Sequence, residues 1–351
     1  MIKAVFEQTG CMKAVVKKIM MLIPIVLVYG CDLHTEKTQG SLQSSSDSIN
    51  AEAGAIIQQA LVSSNPQIRA GAVEIVASIP KNEGRRFMPE VQRLLADEYV
   101  PVRFASAIAI GDTVYRPAKN YILRLLRDED QNVRMAANYA ASKIIPATKI
   151  EILRAGLKSS DLRVRANAAF LLGKTGNVSN LPFLYDAIRD ETSDDRVRFN
   201  VAEAIARLGD EKIYQRLWAM LISAYADDRV FGIRAMGALN TLQARDALLT
   251  MLKDDVVEVR LVAAEQLGSM KDITGEKVVL DALAGANSAG QIRDKEEKAR
   301  ILTLCARATG QIKTPVLKKY LPELLKNEAI PVRLAAAGAV FKCETKVNIG
   351  Q

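Results

Sequence analysis

The sequence is poor in residues that carry metal or nucleophile chemistry, with one histidine and four cysteines among 351 positions. Because His34 stands alone, a His-containing triad or metal site lacks a second imidazole, and no CxxC, HExxH or EF-hand pattern occurs. Only 5% of residues are aromatic, which argues against a groove that stacks nucleic-acid bases. We therefore expect no catalytic residues, no metal ligands and no nucleic-acid partner.

The N-terminal apolar run is too short to cross a membrane. Ile19–Tyr29 has eleven residues, whereas a spanning helix needs about 20. Three lysines within residues 13–18 precede this run, and a basic patch followed by a short apolar run is typical of an export signal. The sequence Val28-Tyr29-Gly30-Cys31 resembles the lipobox of bacterial lipoprotein signal peptides. The resemblance implies that Cys31 is acylated and becomes the mature N-terminus.

These features predict how the N-terminal part is divided. Residues 1–30 form the export signal, with Met12 as a better start than Met1. Residues 31–50 hold the lipidated Cys31 and a polar, Ser-rich, flexible tether that includes a solvated His34. Such a tether spans roughly 25 Å on average. The lipid is the only cofactor we expect, and the predicted location is the bacterial cell envelope, either periplasmic or at the cell surface. The alternative is a buried N-terminal helix with an ordinary cysteine.

An internal repeat occupies most of the remaining chain. An acidic residue or a proline precedes an Arg-containing phrase, and small apolar residues follow it. The clearest copies are QIRAGAVEIVASI, PVRFASAIAIG, NVRMAANYAAS, RVRANAAFLLG, RVRFNVAEAIARLG, EVRLVAAEQLG and PVRLAAAGAVF. The arginines recur at nearly constant spacing from Arg69 to Arg198, and weaker copies are expected at Arg229 and near Arg300.

A second amphipathic pattern separates these phrases, as in YILRLLRD at residues 121–128 and DALLTMLKD at 246–254. Each unit is therefore a pair of helices, and about nine units fill residues 51–345, leaving 346–351 as a tail. The pattern resembles HEAT repeats, in particular the HEAT-like repeats of phycobilisome lyases. The resemblance implies an all-α, right-handed solenoid whose second helices line a concave surface.

Two sets of residues have predicted structural roles. Asp130, Asp161 and Asp194 each lie four residues before a repeated arginine and are expected to cap the second helix. The repeated arginine opposes the helix dipole, so its recurrence indicates a compensating partner. We predict a structural ladder in which each arginine reaches an acidic group in the adjoining turn or repeat. Its members are Arg69, Arg103, Arg134, Arg165, Arg198, Arg229, Arg260 and Arg333. The alternative is a row of arginines that binds a ligand.

The predicted function is a non-catalytic, membrane-anchored adaptor that binds an envelope protein or peptide on its concave surface. The candidate contacts on the second helices are Asn138, Asn167, Asn200, Glu203 and Glu265. The alternative, implied by the lyase resemblance, is a protein that acts on or binds a chromophore or another small molecule.

Four further features leave two interpretations open. Cys305 and Cys343 are either buried thiols or a disulfide, and the insertion at residues 285–298 is either a functional loop or a tolerated one. Two basic clusters are either solvated surface or contacts for anionic lipid or an acidic partner: Lys81, Arg85 and Arg86, and Lys313, Lys318 and Lys319. Trp218 and Tyr225 are either core residues or a binding hot spot.

Overall fold

The computed structural model describes residues 35–146, 148–287 and 294–344. In these ranges all regular structure is helical, which confirms the predicted all-α fold class. The α-helices, in chain order, are α1 (Thr35–Leu61), α2 (Pro66–Ser78), α3 (Lys81–Gly84), α4 (Met88–Arg93), α5 (Val100–Thr113), α6 (Lys119–Leu125), α7 (Gln131–Ile144), α8 (Glu151–Gly156), α9 (Leu162–Thr175), α10 (Leu181–Arg189), α11 (Asp195–Arg207), α12 (Tyr214–Leu221), α13 (Ala226–Leu239), α14 (Leu242–Met251), α15 (Val257–Ser269), α16 (Glu276–Asn287), α17 (Lys295–Ile312), α18 (Pro315–Lys318), α19 (Leu321–Leu325) and α20 (Ile330–Glu344).

The chain divides into two units, residues 1–45 and 46–351. The first is described only over residues 35–45, the start of α1. In the second, the described helices form nine pairs, each with an outer helical segment followed by an inner helix. The inner helices are α2, α5, α7, α9, α11, α13, α15, α17 and α20. They match the Arg-containing phrases, except that Leu302 takes the arginine position in α17.

Neighbouring inner helices are parallel and approach closely through small residues. A Cβ at Gly173 of α9 would lie 2.7 Å from the Cα of Ala204 in α11, and a Cβ at Gly111 of α5 would lie 3.1 Å from the Cα of Ala140 in α7. Only glycine permits such close backbone contact. Because equivalent positions meet in successive repeats, the C-terminal ends of the inner helices lie on one side of the second unit.

The inner helices of the second unit close into a ring. Each packs against the next from α2 to α20, and α20 packs back against α2. At this seam, a Cβ at Gly338 would lie 3.0 Å from Ile75, and the rings of Phe87 and Phe341 have centroids 6.2 Å apart. The concave surface expected of an open solenoid is therefore the wall of an enclosed lumen.

The hydrophobic core reflects this closure. One cluster of buried side chains combines residues from both ends of the second unit, including Ile57, Val76, Leu302 and Phe341. A second cluster runs from Met135 to Leu267 through the middle repeats. Because the first and last repeats cover each other, neither leaves an uncovered apolar face.

The segment predicted to be a flexible tether is described from Thr35, where helix α1 begins, so residues 35–50 are helical. The second half of α1 buries Ala53 and Ile57 in the core, and helix propagation from that packed half requires little further stabilisation. His34, Cys31 and the export signal lie outside the described residues. Within the described residues, no helix is long and apolar enough to cross a membrane.

Candidate functional site

The ladder arginines lie at one side of the ring, where the inner helices begin. We call this side the ladder rim; it consists of the turns at residues 62–65, 97–99, 128–130, 159–161, 190–194, 223–225, 254–256 and 327–329. Arg69 shows the full contact set. Its Nε and Nη2 donate to the two Asp97 carboxylate oxygens at 2.7 and 2.8 Å, and Nη1 donates to the Ser63 carbonyl at 2.8 Å. The guanidinium thus joins its own turn to the next repeat.

Two other arginines make the same bidentate pair. Arg103 contacts Asp128 at 2.9 and 3.0 Å, and Arg229 contacts Asp254 at 2.7 and 2.8 Å. Both pairs are largely buried. Burial acts to raise the pKa of Asp254, but the hydrogen bonds from Arg229 and the Val256 amide, together with the Arg229 charge, hold that pKa below its usual value.

Several other ladder arginines lack the predicted acidic partner. The prediction that each arginine of the ladder reaches an acidic group in the adjoining turn or repeat is therefore corrected. Within the described residues, Arg134, Arg260 and Arg333 donate only to backbone carbonyls of their own turns, at 2.7 to 3.1 Å. The one acidic contact of Arg198 in the same ranges is Asp195 of its own helix.

The sequence of the next turn explains which rungs are paired. In all three bidentate pairs, the aspartate is the first residue of the turn that precedes the next inner helix. Serine takes this position after two unpaired arginines, as Ser159 after Arg134 and Ser223 after Arg198. The arginine with an intermediate contact set is Arg165, which lies 3.4 Å from Asp190 and donates to the Thr192 hydroxyl at 2.8 Å. The ladder arginines therefore make their contacts with other groups of the fold.

The three capping aspartates occupy N-cap positions. Asp130 accepts from the backbone N–H groups of Asn132 and Val133, Asp161 from Arg163, and Asp194 from Val197. Each bond satisfies an amide that the first helical turn leaves free.

The candidate partner contacts are engaged within the fold. Asn138 donates to the Lys149 carbonyl, Asn167 to Asn132, and Asn200 to the Arg196 carbonyl of its own helix. Glu203 pairs with Arg207.

The prediction of Glu265 as a partner contact is corrected, because the side chain is buried. Its Oε1 accepts two hydrogen bonds from Arg307, at 2.9 and 3.0 Å. Its position in the inner helix predicted exposure, but the side chain pairs with Arg307 of the neighbouring inner helix α17.

Charged side chains from distant helices meet in the lumen. We define the lumen cluster as Glu74, Arg234, Glu265, Arg307 and Lys342. Desolvation by the surrounding protein raises the pKa of Glu74, while the positive charges of Arg307 and Arg234 act to lower it. Helix α13, which carries Arg234, lies almost opposite α2, which carries Glu74. The wall of the lumen therefore carries charges of both signs, and Glu74 lies within the electrostatic influence of Arg307 and Arg234.

A buried network lies near the C-terminal ends of α5, α7 and α9. The Tyr139 hydroxyl donates to Asp112 at 2.6 Å, and Lys174 contacts the other Asp112 oxygen at 2.8 Å. Burial, then the Asp112 charge, raises the pKa of Tyr139. The phenol therefore stays protonated and ties three repeats together.

The opposite side of the ring, where the inner helices end, carries exposed cations. We call it the basic rim; it consists of the loops at residues 79–86, 114–119, 145–146, 148–150, 176–180, 209–213, 240–242, 270–277 and 313–319. Acidic residues such as Glu211 and Asp272 also occur in these loops, but they are fewer than the cations. The seam brings the two basic clusters of the sequence together here. The Arg86 guanidinium lies 4.8 Å from the centroid of Phe341, and Lys318 donates to the Cys343 carbonyl at 3.1 Å.

The remaining candidates have defined surroundings. Cys305 and Cys343 are free thiols, and burial raises the pKa of Cys305 to about 12. Trp218 packs on Tyr214, whereas Tyr225 is 74% exposed. Six residues of the insertion, 288–293, lie outside the described residues. Among those described, no group of three or more His, Cys, Asp or Glu side chains is placed to hold a metal ion.

Comparison with known proteins identifies the repeat. A family model for HEAT repeats matches residues 88–163 and 150–231. Deoxyhypusine hydroxylase of Emericella nidulans is 36% identical over 78 residues, which are 22% of this chain and 23% of that protein. This chain therefore matches less than a quarter of that relative's length.

Two solved structures are also similar. Human deoxyhypusine hydroxylase in complex with glycerol is 18% identical, with a TM-score of 0.36, over 74% of this chain and 97% of that one. The CpcE–CpcF complex of phycocyanin lyase from Nostoc sp. PCC7120 is 16% identical, with a TM-score of 0.39, over 72% and 94%.

These matches correct one prediction. We expected a protein without catalytic activity, but the curated relative is named as a hydroxylase, an enzyme, so that expectation is contradicted. The repeat itself is established: residues 88–231 carry HEAT repeats, and the same helix-pair architecture fills the rest of the described ring.

Proposed function

We propose that the protein is a bacterial envelope lipoprotein whose ring of HEAT repeats holds a partner protein near the membrane. The apolar run Ile19–Tyr29 and the lipobox-like sequence ending at Cys31 support the anchor. We place the partner-binding surface elsewhere than on the concave surface expected from the sequence, because the candidate residues on the inner helices are engaged within the fold.

The ladder rim fits a partner better. Ile222 immediately precedes the ladder-rim turn at residues 223–225, and Tyr225 is the last residue of that turn. Their side chains are 69% and 74% exposed. Exposed apolar side chains of this size mark interaction sites more often than scattered small ones, and tyrosine is enriched among binding hot spots. The exposed Asp227 and the Asp255 carboxylate stand on the same rim. These exposed side chains are the observation that carries the proposal, and they favour a partner with apolar anchors flanked by basic residues.

Cross-linking in intact cells, followed by mass spectrometry, tests both parts of the proposal. We expect one envelope protein to be enriched with the wild type and lost with Ile222→Ser plus Tyr225→Ala. Leu123→Ser, an exposed position on the outer helix α6, is the matched control and should retain the partner. Cys31→Ala should release the chain from membranes. Equal enrichment by all variants would refute the ladder-rim site, and unchanged membrane retention of Cys31→Ala would refute the anchor.

A second candidate function is an activity related to that of the curated relative. The 36% identity to deoxyhypusine hydroxylase favours it. Incubation of the purified chain with a deoxyhypusine-containing protein, followed by mass measurement of the modified residue, tests it directly. A hydroxylated product would support this candidate, and an unmodified substrate would remove it.

A further inference from the structure

The basic rim combines cations with exposed aliphatic side chains. Its exposed cations include Lys81, Arg85, Arg116, Lys119, Lys149, Lys212, Lys271, Lys277 and Lys319. Its exposed aliphatic residues are Val114, Val178, Leu242, Ile273 and Val316. Leu242, at the first position of α14, is 75% exposed. An alternation of this kind is typical of surfaces that meet an anionic membrane interface.

The seam strengthens this surface at one place. The Arg86 guanidinium lies 4.8 Å from the ring centroids of both Phe87 and Phe341, and Lys318 donates to the Cys343 carbonyl near the end of helix α20. Two cationic segments, from the second and the last repeats, therefore form one patch. Beside it, Lys81, Arg85 and Arg116 line a small cleft with Thr113.

The ladder rim provides an internal contrast. It also exposes apolar side chains, including Val62 and Ile222, but these stand among the carboxylates of turns such as Asp97-Glu98 and Asp254-Asp255. An anionic surface repels that rim. Exposed apolar residues alone thus do not distinguish the two sides of the ring, whereas the sign of the neighbouring charge does.

The second unit also begins at the basic rim. Asn50 of α1 donates to the carboxylate of Glu344, the last residue of α20, on the side where the inner helices end. The second unit starts four residues earlier, at Ser46.

We propose that the basic rim docks on the surface of an anionic phospholipid bilayer, with lysine and arginine side chains at the headgroups and Leu242 and Ile273 in the interface. This inference rests on the proposed membrane anchor, which delivers the ring to the bilayer. Docking then fixes the orientation of the ring, so that the ladder rim faces away from the lipid.

Tryptophan quenching by brominated lipids tests the docked side. The full acylated chain is placed on vesicles of phosphatidylcholine with or without phosphatidylglycerol, in a Trp218→Phe background that leaves no natural tryptophan. We expect Leu242→Trp on the basic rim to be quenched on anionic vesicles. Ile222→Trp on the ladder rim is the matched control and should remain unquenched.

Charge reversal supplies a second readout that leaves the core intact. Lys119→Glu with Lys319→Glu should lower the quenching of Leu242→Trp, and the affinity of the rim for anionic vesicles should fall about tenfold or more. Lys253→Glu with Lys326→Glu makes the same charge change immediately before the ladder-rim turns at residues 254–256 and 327–329, and it should leave quenching unchanged.

The outcomes separate this inference from the anchor. A chain that floats with vesicles while neither tryptophan is quenched overturns docking and leaves the anchor standing. A chain that does not associate with vesicles refutes the anchor instead. Equal quenching of both tryptophans, or cross-links from the basic rim to an acidic protein without quenching, also overturns the proposal.

Discussion

The two rims of the ring are built from the two ends of the same inner helices, yet they use charge differently. At the ladder rim, an arginine recurs in almost every repeat and is engaged by carbonyls and, in three repeats, by a bidentate aspartate. At the basic rim, the cations occupy no fixed position in the repeat, and most of those in the described loops lack a bidentate partner of this kind. The arginines that recur at one position of the repeat make contacts within the fold. The cations that occupy no fixed position in the repeat form an exposed basic surface.

The largest effect that we expect comes from breaking one ladder pair. Arg229→Ala leaves Asp254 buried without its guanidinium and should lower the free energy of unfolding by about 3 kcal/mol or more. Urea unfolding followed by circular dichroism measures this change. Arg134→Ala removes only bonds to carbonyls and should cost about 1 kcal/mol, so equal losses would contradict the distinction between rungs.

The seam is the next target, because the basic rim is continuous only if the ring is closed. Gly338→Val places new atoms against Ile75, where even a Cβ would lie 3.0 Å away, and should cost about 2 kcal/mol. We expect the helical content to persist while small-angle X-ray scattering reports a larger radius of gyration. An unchanged scattering curve together with unchanged stability would show that the seam absorbs the extra volume.

Acid should weaken the ladder rim. The pKa values of Asp97 and Asp254 are lowered in the fold, so the stability that they provide is complete above their unfolded pKa of about 4 and is lost as the pH falls through the lower folded values. Asp97→Asn should flatten the pH dependence of the unfolding free energy below about pH 4. A variant with the same acid profile as the wild type would assign acid sensitivity to other groups.

The smallest effect is a gain. Ser159→Asp supplies the carboxylate that is missing from the first position of the turn after Arg134, and it should stabilise the protein by about 1 kcal/mol at neutral pH. The gain should disappear in the Arg134→Ala background, which a double-mutant cycle measures. An additive cycle would mean that the new aspartate does not reach the arginine.

The repeat phrase was sufficient to predict the helix pairs, the N-cap positions and the places of the arginines, because these depend on local spacing. The aspartate that begins the turn after Arg103 and after Arg229 was visible in the sequence too, and it distinguishes paired rungs from the serine rungs. Ring closure was not predictable, since it depends on the small rotation between repeats summed over all nine pairs. The joining of Arg86 to Phe341 follows from closure. The burial of Glu265 accompanies its pairing with Arg307 of the next inner helix, which the spacing of the repeat did not reveal.

Closure also constrains how such a protein evolves. An open solenoid gains or loses a repeat at modest cost, because each unit contacts only its neighbours and the terminal units serve as caps. In this ring, the first and last repeats complete each other's core through α2 and α20, so repeat number is tied to a full turn. Duplication of one internal repeat would force the contact between Ile75 and Gly338 apart and leave two apolar ends. Change is therefore expected in the loops of the rims, where length varies without altering the count.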